Sequence, residues 1–96
     1  MNRKNEYPII KADIIKKTAS PPEVLLFDTN REIGYVVDGM AGQFCLLFDG
    51  TQSLGSLIAQ FAKSHQISEQ ELEQGLSELV DSLEKNQILS WLTHPL

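Results

Sequence analysis

At Asp38 the apolar pattern of this chain changes period. Before it, Ile33, Tyr35 and Val37 alternate with Gly34 and Val36; after it, Ala41, Phe44, Cys45, Leu47 and Phe48 recur at the three-to-four-residue spacing of a helix. A chain of 96 residues makes one compact domain and buries only a little over ~60% of its unfolded surface, so it has apolar material for a single core. The strand half and the helical half must therefore cover each other. The reading is a small α+β domain, with several short strands followed by three helices.

In the strand half, Ile9, Ile10, Ala12, Ile14 and Ile15 form one apolar-rich stretch that reads as a strand closed by Lys16-Lys17. Pro21-Pro22 interrupts pairing, because neither residue has a backbone donor. The segment from Thr18 to Pro22 is expected to be mobile. Val24 to Phe27 is a second strand, Asp28 to Arg31 a polar turn, and Ile33 to Val37 the returning strand of a hairpin. In the helical half, Asp38 caps a first helix, which Asp49-Gly50 ends. Ser53 opens a second, with Leu54, Leu57, Ile58 and Phe61 on its buried stripe. Ser68 and Glu71 have the spacing of a capping box, in which each side chain satisfies an amide at the helix start. The third helix that follows carries Leu72, Leu76, Leu79, Val80 and Leu83 along one face as far as Asn86. Ile88 to Leu92 reads as a short strand or a packed tail, and propensity does not choose between them.

Reactive groups are sparse. The two histidines, His65 and His94, lack the spacing of a metal motif, and the glycines form no phosphate-binding loop. The single cysteine, Cys45, precludes an internal disulfide and sits in an apolar run with no base close in sequence, as a core thiol would. The carboxylates Glu69, Glu71, Glu73, Glu78, Asp81 and Glu84 alternate with the apolar stripe of the third helix and read as its solvated face. No catalytic residue, metal ligand or cofactor site is expected.

Charge is uneven. Residues 1–35 carry six basic and five acidic side chains, and residues 36–96 carry two and eight, within a net charge of -5. Phosphate contact by the acidic half is unfavourable, so no nucleic-acid partner is expected. The polar N-terminus has no apolar signal core, and no run approaches the ~20 apolar residues that cross a bilayer; a cytoplasmic chain without a membrane partner is expected.

What remains is backbone. An uncovered sheet edge accepts an extended peptide as an added strand. The preferred edge is Glu32, Ile33, Gly34, Tyr35, Val36 and Val37, with the third helix as the other wall of a groove. The same edge could pair two copies of the chain.

The run from Glu23 to Asp28, Gly34 to Asp38, Asp38-Gly-Met-Ala41, Phe44 to Gly50, Ser53 to Ile58, Ser68 to Leu72 and Leu79 to Leu89 resembles the PqqD-like family. Members are recognition elements for the precursors of ribosomally made, modified peptides. The resemblance implies a three-stranded antiparallel sheet packed on three helices, winged-helix-like, over residues 8–92, with 1–7 a flexible lead-in and 93–96 a tail. It also implies that a precursor's leader segment adds a strand beside Glu32 to Val37 and contacts Leu72, Leu76, Leu79, Val80 and Leu83. The chain departs from the pattern at Asp38-Gly39, at Cys45 in place of an aromatic residue, and at Ser56 in place of an acidic one. The expected role is non-catalytic: holding the leader for a separate maturation enzyme, of radical-SAM type or a lasso-peptide protease. The alternative is a winged-helix nucleic-acid binder, which the six carboxylates of the third helix oppose.

Overall fold

The computed structural model describes residues 3–18 and 23–96, so the expected mobile segment after Thr18 lies largely outside the described residues. The elements run β1 Tyr7–Ile10, β2 Ile14–Thr18, β3 Val24–Asp28, β4 Ile33–Val37, α1 Gly39–Cys45, α2 Leu54–Ser64, α3 Glu69–Lys85 and β5 Leu89–Leu92. A three-stranded antiparallel sheet in the order β2-β3-β4 accompanies three helices, the α+β arrangement expected.

The single first strand expected over Ile9–Ile15 is two strands in two sheets. β1 pairs antiparallel with β5, Tyr7 opposite Leu92 and Ile10 opposite Leu89, while β2 pairs with β3. The break has a local cause. Lys11 donates its N–H to Ile88 O at 2.9 Å, and Ile14 donates back to Lys11 O at 3.0 Å, so a tight turn carries the chain from one sheet to the other. Ile10 and Ile14 are both buried on either side of it. Tyr7, expected in the lead-in, opens β1; Lys4 O and Glu6 O accept the first amides of α2, from Gly55 at 2.9 Å and Leu54 at 3.0 Å. At the other end, Leu96 N–H donates to Gly50 O at 2.9 Å.

The β3–β4 hairpin is held in register by Asp28. This carboxylate is buried and accepts the amides of Asn30 at 3.0 Å and Arg31 at 3.1 Å, fixing the turn. Thr29 donates both its N–H and its hydroxyl to Asp13 O, tying the turn to the start of β2. Gly34 lies opposite Phe27, and a Cβ there would come within 3.2 Å of Leu25, so glycine lets the outer-face side chains of β3 lie across β4.

The helix starts are built in two ways. Asp38 precedes α1 without a side-chain cap, and Gly39 takes φ +60°, the left-handed region that glycine enters without cost. Ser53 and Ser68 accept the amides of Ser56 and Glu71 at 3.2 and 3.1 Å, as expected of N-caps. α1 ends at Cys45, earlier than Asp49-Gly50. Gly50 instead forms a packed corner at φ +80°, where a Cβ would lie 3.0–3.2 Å from Leu92, Leu96 and Ile9.

The core lies between the sheet and the helices. Phe44 is fully buried and meets Phe48 and Phe61 edge to face, at ring separations of 5.4 and 5.1 Å. Around them pack Val24 and Leu26 from β3, Leu54, Leu57 and Ile58 from α2, Leu72, Leu76, Val80 and Leu83 from α3, and Ile88. Cys45 is wholly buried there, and burial pushes its thiol up to about 12. Among the described residues no helix is long and apolar enough to cross a membrane.

Candidate peptide-binding edge

β4 borders the three-stranded sheet and, among the described residues, has one strand neighbour, β3. In an antiparallel ladder alternate residues point their N–H and C=O away from the partner, so an outer strand offers half of its backbone groups for pairing. Glu32, Ile33, Gly34 and Val36 are exposed, Val36 at 64% and Ile33 at 45%, whereas Tyr35 and Val37 are half-buried against the core. The other border, β2, carries exposed Lys16 and Lys17, and edge lysines discourage strand addition. β4 has neither lysine nor proline. Its charges, exposed Glu32 and Asp38, stand at its two ends.

The relation of β4 to α3 follows from two contacts. Just before β4, Arg31 donates to Asn86 O at 3.2 Å and to Gln87 Oε1 at 2.6 Å, beyond the C-terminal end of α3. Just after β4, Met40 and Ala41 share a recess of about 260 Å³ with Ile67, Glu71, Gly75 and Leu76. The chain on either side of β4 therefore meets α3 at its two ends, Arg31 just beyond the C-terminal end and α1 along the first two turns. Glu71, Gly75, Leu79, Ser82 and Asn86, spaced by three or four residues, share one flank of α3, whose start lines the recess with α1 and whose end accepts from Arg31.

This geometry revises the helical wall. Leu72, Leu76, Val80 and Leu83, expected to contact a peptide, are 2–6% exposed and belong to the core, because the apolar stripe of a helix first covers the sheet and the neighbouring helices. Leu72 and Leu76 reach the recess only as part of its lining. Leu79 is half-buried, packs against the core and lies on the same flank of α3 as Glu71 and Gly75.

Met40, Ala41, Ile67, Glu71 and Gly75 were missed by the sequence reading. Met40 is 44% exposed and gives the recess an accessible apolar wall. Gly75 was the available signal: glycine inside a 17-residue helix costs about 1 kcal/mol relative to alanine. No packing contact demands it, since a Cβ there would meet nothing within 4 Å. Its absent side chain leaves the recess open. Glu71 departs from the capping box as well. Its amide bonds Ser68 Oγ, but its carboxylate makes no hydrogen bond or ion pair among the described residues and lies at the rim of an otherwise apolar recess.

The arrangement can hold an extended segment through main-chain bonds to β4, an apolar side chain in the recess and a cationic group at Glu71. Cys45 is buried with its thiol protonated, and among the described residues no cluster of three or more His, Cys, Asp or Glu is placed to hold a metal. His65 stacks on Phe61 at 4.0 Å and contacts Phe61 O through Nδ1, which occupies it at the end of α2.

Comparison with family models, with curated proteins and with solved structures finds no match in any of the three.

Proposed function

We propose that this chain is a non-catalytic peptide-recognition module, which takes the leader segment of a ribosomally made precursor as an added strand on β4 and presents it to a separate maturation enzyme. The observation that carries the reading is an edge strand, β4, uncovered among the described residues and free of blocking charges within the strand, followed directly in the chain by an open apolar recess between α1 and α3. Main-chain pairing supplies register and part of the affinity; the recess selects one anchor side chain. The free Glu71 carboxylate favours a basic residue beside that anchor. The resemblance to the PqqD-like family supports the same edge and the same helix, and makes a radical-SAM enzyme the leading partner. Tethering the leader would raise the concentration of the attached core peptide at that enzyme, while the chemistry stays on the partner.

The test is a titration of isotopically labelled chain with the leader of a short precursor encoded beside its gene, following every backbone amide. Saturable shifts along Glu32 to Val37, at Met40 and at Glu71 to Leu79 are expected. Specific shifts on α3 with duplex DNA, and none with the leader, would overturn the proposal in favour of nucleic-acid binding.

A further inference from the structure

α3 has a second flank, on the far side of the helix from Glu71 and Gly75. There Val80, Asp81 and Glu84 border a recess of about 410 Å³ completed by Leu54 of α2, Trp91 of β5 and Arg3. Leu54 and Val80 are almost fully buried and give it an apolar floor. Trp91 donates its indole N–H to Glu84 Oε1 at 3.0 Å, a bond that fixes the ring and the carboxylate together. The guanidinium carbon of Arg3 lies 5.2 Å from the centre of the Trp91 ring, and its Nη2 is 3.7 Å from Glu84 Oε2. The site thus already holds one guanidinium by an aromatic face and a carboxylate, the pair of interactions that favours arginine over lysine.

Arg3 holds its place loosely. Its side chain is 44% exposed, and its contacts with Glu84 at 3.7 Å and Glu6 at 3.8 Å are too long for hydrogen bonds. Its backbone neighbours are anchored independently through Lys4 O and Glu6 O, so the side chain can swing aside without undocking the segment. Asp81, in the same wall, has no hydrogen bond or ion pair among the described residues. Two carboxylates therefore face one loosely held cation across open space.

We propose that this recess is a docking site for an arginine side chain of a partner polypeptide, stacked on Trp91 and paired with Asp81 and Glu84 in place of Arg3. Because the two sites lie on opposite flanks of one helix, a strand on β4 leaves this recess accessible.

Trp91 is the single tryptophan of the chain, so its fluorescence reads the recess directly. The whole chain is titrated with the capped tripeptide acetyl-Gly-Arg-Gly-amide and with its citrulline counterpart, which keeps the shape and lacks the charge. A saturable change with the arginine peptide is expected, about tenfold weaker with citrulline. Arg3→Gln, which removes the resident competitor, tightens arginine-peptide binding several-fold. Asp81→Asn weakens it several-fold while leaving the thermal midpoint in place. Equal responses to the two peptides, no saturable change on the Arg3→Gln chain, or an Asp81→Asn chain that binds like the parent would each overturn the assignment.

Discussion

Gly75→Ala separates a glycine kept for the fold from one kept for an open recess. The position lies inside α3 and is exposed, and a Cβ built on it meets nothing within 4 Å. The methyl group thus has no clash to offset its gain. Alanine restricts the unfolded chain more than glycine does and suits a helix better, so the variant should be more stable by about 0.5–1 kcal/mol. For a chain of this size, with a urea dependence of about 1 kcal/mol per M, the midpoint should move up by roughly 0.5–1 M. Urea titration followed by Trp91 fluorescence and far-ultraviolet circular dichroism measures the shift and checks that the two probes coincide. The same methyl narrows the recess shared with Met40 and Leu76, so affinity for the leader should fall although the fold is firmer. A variant that is destabilised, or unchanged within error, refutes the argument, because Gly75 would then serve a contact absent from this structure. A more stable variant with undiminished leader affinity would refute the recess as an anchor site and leave the stability argument intact.

Other outcomes follow from the same reasoning. Val36→Pro should abolish leader binding if the Val36 N–H points outward; a variant with a native-like amide spectrum and unchanged leader affinity would exclude this edge. Gln66 sits after α2 at φ 56° with no side-chain hydrogen bond among the described residues, so Gln66→Gly should stabilise the chain by about 1 kcal/mol, read as a higher thermal midpoint. Arg31→Ala removes the bonds to Asn86 and Gln87 that tie the hairpin to α3, and should cost about 1 kcal/mol in urea while increasing amide exchange in the turn. Cys45 titrates near 12 in the folded chain against an ordinary 9.0, so its contribution to stability is complete below pH 9 and is lost as pH rises toward 12. The parent should therefore weaken relative to Cys45→Ala by up to about 1.4 kcal/mol per pH unit above pH 9; parallel curves would contradict a buried, protonated thiol.

How much was legible in advance depended on the range of the interaction that decided each feature. The change of period at Asp38, the caps at Ser53 and Ser68, the Val24 to Val37 hairpin and the apolar stripe of α3 are local, because a helix or strand writes its period and its first unsatisfied amides into neighbouring residues. These were enough for the α+β class and for locating the outer strand. Tertiary contacts decided the rest. Ile9 to Ile15 was divided by hydrogen bonds to Phe48 and Ile88, far along the chain, which no propensity within the segment records. Leu72, Leu76, Val80 and Leu83 were consumed by the core, since apolar character marks burial but not the surface that covers it. Arg31 and Met40, two residues before β4 and three after it, tie the ends of the strand to the region of α3. Residue order alone marked the Val24 to Val37 hairpin, the starts of the three helices and the need for one core to serve both halves. Only the packed chain could decide which side chains were left over to meet a partner, because exposure is a property of three-dimensional neighbours and not of residue order.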